Sequence, residues 1–373
     1  MESNHASSRV PGEAISEAWV HRGMRVFHMV NERCLMNKPT ILITGGAGYI
    51  GSHIGLLCAR ANYHVVILDS FVHGQHFNPS WATVINGDYA NTEILKNIFT
   101  NYSIAAVVHC AASIEVGISV RDPISFYENN VAKTITLIDQ MLRANVKNII
   151  FSSSCAVYGQ PLFLPLTEAH PINPMSPYGR TKAMVEEILA DASDAYGLRY
   201  IALRYFNAAG ALPEEGLGEQ HKPETHLIPL LLKAALMREP FTIFGSSYPT
   251  RDGSAVRDFV HVLDIANAHL LALEHLARGN PSDAFNLGTG SGYSIKEMID
   301  GVQRVSGTTV HTLISEPRAG DPHTLVADPI KAKTILQWQP RYSDLEFLLK
   351  SALVFFKQQD AIAQPGILIE KVL

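Results

Sequence analysis

The sequence predicts an α/β fold, a doubly wound parallel sheet with a smaller C-terminal α/β lobe, and three observations predict it. Short apolar runs alternate with helix-length segments from Thr40 to Arg204, the rhythm of a parallel sheet with helices on both faces. Three glycines, Gly45, Gly48 and Gly51, directly follow the first apolar run. After about Asn207 the pattern changes to shorter strands between Gly- and Pro-containing loops, which marks a second lobe.

Taken in order, a strand is expected at Ile41–Ile43, then a helix from about Ile50 to Ala61 and a strand at His64–Leu68. A polar loop with His73, Gly74 and Pro79 follows. The next elements are a strand near 83–85, a helix around Asn91–Thr100 and a strand at Ala105–Val108. A long helical stretch covers about Pro123–Arg143, followed by an apolar strand at Asn148–Ser152 and a short one at Val157–Gly159. Ser176 and Pro177 form a helix start, serine as cap and proline in the first turn, for a helix running to Tyr196. Tyr200–Arg204 is another strand. In the second lobe a helix is expected near His226–Arg238. Strands follow at Thr242–Phe244, Phe259–His261, Ala284–Leu287 and Val310–Ile314. Helices are expected near Ser294–Val305 and over about 329–336 and 343–358.

The totals exclude several classes. The chain has 373 residues, 47% hydrophobic and 17% charged, enough for a large core. A net charge of −5 and no basic block argue against nucleic-acid binding. No apolar run has the length of a membrane span. The four cysteines, at 34, 58, 110 and 155, match no zinc spacing and read as reduced thiols of a cytoplasmic protein. No metal site is expected. Residues 1–36 interleave acids and bases (Glu13, Glu17, Arg22, Arg25, Glu32, Arg33) and carry no signal- or transit-peptide pattern. They read as a disordered extension, or as residues upstream of a start at Met36, with a short helix over Ile15–Val30 as the structured alternative.

The glycine triple has a physical reading. Gly45 permits a sharp turn out of the strand, Gly48 a close approach of a pyrophosphate, and Gly51 tight packing of helix on strand. The helix N-terminus then faces the phosphates with free N–H groups and the positive end of its dipole. Asp69 ends the next strand, eighteen residues past Gly51. A carboxylate there accepts from both ribose hydroxyls and repels a 2′-phosphate, so the cofactor is NAD rather than NADP. Asp88, after the third strand, is positioned for the adenine amino group. This is a Rossmann-type dinucleotide site.

Tyr178 and Lys182 are four apart and share one helix face. A phenol ionises near pH 10. A neighbouring ammonium and a cationic nicotinamide lower that value and make the tyrosine a base near neutral pH. Ser154, at a strand end, is placed to hydrogen-bond the reacting oxygen.

Eight segments carry a family resemblance: TGGAGYIGSH at 44–53, EVGISV at 115–120, NNV at 129–131, SSSCAVYG at 152–159, SPYGRTK at 176–182, LRYFNAAGA at 203–211, VRDFVHVLD at 256–264 and RAGDP at 318–322. From about Thr40 to about Phe356 the chain resembles the extended short-chain dehydrogenase/reductases, and among them the NAD-dependent UDP-glucose 4-epimerases. The resemblance implies an NAD-binding domain over 37–206 and a UDP-sugar domain over 207–373. It implies Tyr178 as base, Lys182 as its partner on the nicotinamide ribose, and Ser154 as the assisting hydroxyl. It places Tyr49, Ile50, Ser70, Tyr89, Asn130 and Tyr205 beside the cofactor with Gly45, Gly48, Gly51, Asp69 and Asp88. It places Asn207, Arg257 and Arg318 on the diphosphate, Asp321 on the uridine ribose, and His226 beside the sugar. Leu325 matches the position that gates the sugar pocket, where tyrosine restricts relatives to hexoses and small residues admit N-acetylated sugars. The resemblance further implies a homodimer through the helices at 123–143 and 177–196.

UDP-glucose and UDP-galactose are therefore the first-choice substrates, with UDP-GlcNAc/GalNAc or UDP-pentoses as alternatives. Related dehydratases carry Asp-Glu after the serine, and decarboxylases a glutamate; Cys155 and Ala156 stand there instead. A cysteine near this place works in GDP-fucose-synthase-like enzymes, which leaves Cys155 as a candidate thiol. Ile114 departs from a lysine found nearby in some relatives. A non-catalytic NAD-binding regulator is the reading from another class; retention of both Tyr178 and Lys182 argues against it.

Overall fold

The computed structural model describes residues 38–72, 77–221, 224–317 and 322–363. The proposed helix at 15–30, Cys34, and loop residues His73 and Gly74 lie outside the described residues. Those described from Pro39 onward belong to one compact unit.

The first strand, β1 (Thr40–Thr44), is buried at every position, as expected of a strand covered on both faces. It leads through the glycines into α1 (Tyr49–Arg60), then β2 (His64–Asp69) and β3 (Ala82–Asn86). Next come α2 (Thr92–Asn101), capped by the Asn91 side chain, and β4 (Ile104–His109). The long helical stretch expected over 123–143 is broken. A short helix, α3 (Val116–Arg121), precedes it, and the stretch itself consists of α4 (Pro123–Tyr127), a π-helical turn over Glu128–Ala132, and α5 (Lys133–Arg143). β5 (Asn148–Ser154) passes into a 3₁₀ turn, Cys155–Val157, where a strand at Val157–Gly159 was expected. The Ser154 side chain caps that turn by accepting from Ala156 N, and the backbone there is diverted from extension. α6 (Pro177–Tyr196) starts as its sequence predicts, with Ser176 Oγ accepting from Gly179 N at 3.1 Å. β6 (Arg199–Tyr205) follows.

Beyond residue 206 come β7 (Asn207–Ala209), α7 (Leu227–Met237), β8 (Phe241–Phe244), β9 (Val256–His261) and α8 (Val262–Ala277). Then follow β10 (Asp283–Leu287), β11 (Gly292–Ser294), α9 (Ile295–Ser306), β12 (Thr312–Ser315), β13 (Thr324–Leu325), α10 (Ile330–Ile335) and α11 (Leu345–Ala363).

Seven strands form one parallel sheet in the order β10-β6-β5-β4-β1-β2-β3. The order reverses beside β1, and ligands of such sheets bind at the carboxyl ends of the strands near that switch. Strand periodicity sorts the core residues. Ile41, Ile43, Val65 and Ile67 point to one apolar cluster, with Ile54 of α1 and Ile265 and Leu273 of α8. Leu42, Val66 and Leu68 point to the other, with Leu95, Leu137 and Leu189 from α2, α5 and α6. A third cluster joins α7, α9 and α11 through Leu231, Met298, Val302, Leu348 and Leu349.

The chain crosses back over the expected boundary between residues 206 and 207. β10 pairs with β6, Asp283 opposite Ile201, and α8 packs against α1. β7, β11 and β13 instead gather around β9 in a small mixed sheet. The turn before α11 is tied to α8: Asp264 accepts from Arg341 N, Tyr342 N and Ser343 Oγ, and Trp338 Nε1 donates to the Asp264 carbonyl. Among the described residues no helix is long and apolar enough to cross a membrane.

Candidate functional site

The carboxyl ends of β1 and β2 make one cradle. Gly45 turns at φ +70°, and a Cβ there would meet Ala111 N at 2.6 Å. At Gly51 a Cβ would meet the Gly45 carbonyl oxygen at 2.3 Å, so any larger residue would push α1 off the turn. Gly48 is the N-cap, with no side-chain cap and no acid in the first turn. The first N–H groups of α1 precede any intrahelical acceptor, and Tyr49, Ile50 and Gly51 carry them. A phosphate-bearing group fits this end on both counts: backbone close enough to approach, and donors not taken by a cap. The Asp69 carboxylate braces the turn, accepting from Ala47 N at 3.0 Å and Phe71 N at 2.9 Å. Ser70, next in line, is exposed. Tyr49 donates its hydroxyl to the Gly210 carbonyl at 2.7 Å, and Ile50 packs on the core.

At the end of β3, Asp88 accepts from Ala90 N at 2.8 Å and forms an ion pair with Lys133 at 2.6 Å. Lys133 therefore neutralises the acid expected near the adenine. Tyr89 is buried, its ring against His109 and its hydroxyl donating to the Asn129 carbonyl. Asn130, in the π-helical turn, accepts from Ser113 N and donates to Ser113 O and Thr181 Oγ1. It clamps the segment after β4 to α6. A buried chain extends from it: Thr134 Oγ1 to the Asn130 carbonyl, His109 Nε2 to Thr134 Oγ1, and His109 Nδ1 to Thr44 Oγ1. Burial, then the nearby Lys182 charge, pushes His109 down to about 3, so it stands neutral. Sequence reasoning did not single out this chain; the polar residue His109 ending an apolar strand was its available signal.

Ser154, Tyr178, Lys182 and Tyr205 converge where β5, β6 and α6 meet. The Ser154 hydroxyl is near enough to the Tyr178 phenol to favour its ionised form, and Ser152 acts in the same way on Tyr205. Lys182 is buried. Its Nζ donates to the Ser152 carbonyl at 2.8 Å and lies 4.9 Å from the centre of the Phe151 ring and 5.9 Å from that of Tyr178. Burial lowers Lys182 to about 8, with the Cys110 and Glu186 charges opposing. Burial raises the Tyr178 phenol to about 12, against the Ser154 hydroxyl that lowers it. The expected lowering by the ammonium is not what these side chains produce. The amine faces a carbonyl rather than the phenol oxygen, and the desolvation cost dominates.

Below this group lies a buried pair absent from the sequence reading. Arg204 and Glu186 meet at 2.5 Å, Ser153 donates to Glu186, and Arg204 Nη1 donates to the Tyr158 hydroxyl at 3.0 Å. Tyr158 in turn donates to Asn286 at 2.6 Å. Two consecutive residues, Ser152 and Ser153, thus support Lys182 and the ion pair.

The small sheet supplies the opposite wall. Arg257 on β9 lies opposite Leu325 on β13, and its charge acts on Cys155. Leu325 and Cys155 pack on the same apolar cluster as Val157 and Ala183. Burial raises the Cys155 thiol to about 12, which leaves it protonated and weakly nucleophilic at neutral pH. Asp258 pins three strand ends together, accepting from Thr289 N, Thr289 Oγ1, Gly290 N and Ala327 N. Asn207 begins β7 opposite Phe259. His226, the residue before α7, meets Glu219 at 2.8 Å and Glu224 at 3.2 Å. Burial opposes its protonation, but the two carboxylates outweigh burial and raise it to about 10. Arg318 and Asp321 lie outside the described residues.

A curated relative, the UDP-glucose 4-epimerase of Halalkalibacterium halodurans, is 47% identical over 319 residues, covering 85% of this chain and 96% of that protein. The crystal structure of UDP-glucose 4-epimerase from Brucella ovis in complex with NAD matches with a TM-score of 0.83 at 44% identity, over 85% of this chain and 98% of that one. A UDP-Glc/GlcNAc 4-epimerase from Campylobacter jejuni matches with a TM-score of 0.76 at 40% identity, over 86% and 99%. The family model for the NAD dependent epimerase/dehydratase family matches residues 41–288. With that match laid over the glycine turn and the Ser154–Tyr178–Lys182 group, the chain belongs to the NAD dependent epimerase/dehydratase family.

Proposed function

We propose that the protein interconverts UDP-glucose and UDP-galactose by inverting C4 of the sugar with NAD held throughout. The observation that carries this reading is the convergence of Ser154, Tyr178 and Lys182 where β5 meets α6, with the Lys182 amine 5.9 Å from the centre of the Tyr178 ring, in a chain 47% identical to a curated UDP-glucose 4-epimerase.

The cofactor's residues are Gly45, Gly48, Tyr49, Ile50 and Gly51 for the phosphates, Asp69 for the adenosine ribose, and Lys182 for the nicotinamide ribose. Ser70, Asp88, Tyr89, Asn130 and Tyr205 flank them. Bound NAD supplies a hydride acceptor for C4 and a positive charge beside the phenol. Tyr178, brought toward neutral pH by that charge, takes the proton of the 4-hydroxyl. Ser154 donates to the same sugar oxygen and holds it as the 4-keto form develops. After the sugar turns over, the hydride would go back to the opposite face of C4 while Tyr178 returns the proton to the 4-oxygen, which restores the oxidised cofactor. Arg257, Asn207 and Arg318 hold the diphosphate, Asp321 the uridine ribose and His226 the sugar side, so the sugar rotates while its anchor stays fixed.

Cys155 and Ala156 offer no acid–base pair for water elimination, which favours epimerisation over dehydration. Leu325, set between Arg257 and the Cys155 cluster, is the wall that decides between hexoses and N-acetylhexosamines. We assign residues 37–206, together with α8 and β10, which complete that layer, to cofactor binding, and the rest of 207–373 to the UDP-sugar. Exposed Val120, Ile124, Ile135 and Met184 on α3–α6 favour a homodimer through these helices, and the composition favours the cytoplasm.

Conversion of UDP-galactose to UDP-glucose by purified protein without added NAD tests the reading. Turnover is the expected result. Retained NAD with no turnover of any UDP-sugar would overturn it in favour of a dinucleotide-binding regulator.

A further inference from the structure

The segment from Glu219 to His226 carries two Glu-x-His pairs, Glu219/His221 and Glu224/His226. The fold brings one nitrogen or oxygen donor from each of the four within 4.8 Å of one another. His226 Nδ1 lies 2.8 Å from Glu219 Oε1 and 3.2 Å from Glu224 Oε1, and His221 Nδ1 lies 3.3 Å from Glu219 Oε1. The two imidazole rings stand 5.0 Å apart. Donors bound tetrahedrally to one zinc ion at 2.0–2.2 Å are roughly 3.4 Å from each other, so the cluster already has nearly that spacing.

One atom distinguishes this group from an ordinary hydrogen-bonded cluster. His221 Nδ1 is buried and makes no hydrogen bond among the described residues. It lies 3.3 Å from Glu219 Oε1 without the alignment of a hydrogen bond, and a cation held between the two would satisfy both. Glu219 is nearly buried at 11% side-chain exposure, and buried charges are paired or bind metals. The donor set also selects the ion. Two imidazoles with two carboxylates suit zinc, cobalt or nickel, whereas magnesium and calcium take oxygen ligands.

We propose that Glu219, His221, Glu224 and His226 bind one divalent transition-metal ion of the zinc class. Four protein ligands make it a closed, structural site. It fixes the residues leading into α7, and with them His226, beside the first turn of α1, where the Glu219 and Glu224 charges also act on Tyr49. The proposal does not depend on which sugar nucleotide the protein turns over, because its test reads the ion.

The test is titration of the full, untagged chain with its bound NAD, after chelator treatment, with Co²⁺. We expect one equivalent per chain, the visible absorption of tetrahedral cobalt, and loss of that band on adding one equivalent of Zn²⁺. His221→Ala and the near-isosteric Glu224→Gln should each weaken Co²⁺ binding roughly tenfold or more. His311→Ala, at an exposed histidine, should leave it unchanged. Retained NAD establishes that each variant is folded. Absence of the band in the unaltered chain overturns the proposal in favour of a hydrogen-bonded cluster only. Equal affinity in the unaltered chain and Glu224→Gln overturns it as well.

Discussion

The Lys182 ammonium donates to the Ser152 carbonyl and lies 5.9 Å from the centre of the Tyr178 ring. The two side chains are stacked in sequence on one helix face, yet the amine is directed at the strand. The protein's own groups therefore leave the phenol near 12, and under the proposed mechanism only the cofactor's positive charge would bring it into range as a base. Tyr178→Phe removes the base and leaves the cradle alone. It should lower kcat for UDP-galactose by roughly 10²–10⁴ while NAD, measured after denaturing release, stays stoichiometric. Full activity would refute the assignment.

Lys182 gives a pH dependence with opposite signs for activity and stability. Burial brings its value from 10.5 to about 8. The folded protein thus sheds this proton before the unfolded chain does. Between about pH 8 and 10.5 the unfolded state binds more protons here, so this lysine's contribution to stability rises with pH. With the charged amine serving the nicotinamide ribose as proposed, kcat/KM should fall roughly tenfold per unit above pH 8. Parallel pH profiles of turnover and urea midpoint, with Lys182→Met as reference, measure both; the variant's stability should lack the alkaline rise.

The Arg204–Glu186 pair has side-chain exposures of 9% and 11%. Glu186→Gln leaves a buried guanidinium with no counter-charge, a change that costs about 3–5 kcal/mol. Equilibrium urea unfolding should register it. A cost under about 1 kcal/mol, the range of exposed pairs, would mean that water reaches the site.

Gly51→Ala puts a methyl against the Gly45 carbonyl oxygen. Overpacking of this kind costs about 1–3 kcal/mol. Because the clash sits in the phosphate-facing turn, bound NAD should fall along with the denaturation midpoint. Loss of stability with full NAD occupancy would separate the glycine from cofactor binding.

Leu325→Tyr narrows the wall beside Arg257. We expect the kcat/KM ratio of UDP-GalNAc to UDP-galactose to drop by about tenfold, the scale of one to two methylene-sized contacts. An unchanged ratio would remove Leu325 from the specificity wall.

Much of the sheet is legible because each strand is a short apolar run with its own turn signal, and the glycine spacing locates the cradle directly. The Ser176 cap and Pro177 locate α6 to the residue. α8 is not legible in the same way. Twelve of its residues, Val262 through Leu276, are buried, so apolar residues surround the helix and the 3.6-residue stripe that betrays a surface helix disappears. The π-helical turn at Glu128–Ala132 is hidden for another reason: Asn130 bonds to Ser113 and Thr181, long-range partners that no local pattern reveals. Likewise Asp258 and Arg204 lie inside recognisable segments, but their partners come from the turn after β10, the segment before α10, α6 and Tyr158. The site's chemical residues are local in sequence; the groups that hold them in place are not.

The bond from the Tyr49 hydroxyl to the Gly210 carbonyl joins the mouth of the dinucleotide cleft to the chain leading toward the small sheet. Tyr49→Phe would cut this strut, and faster exchange of bound with dissolved coenzyme is the expected result. An unchanged exchange rate in that variant would mean that the two walls hold the coenzyme independently.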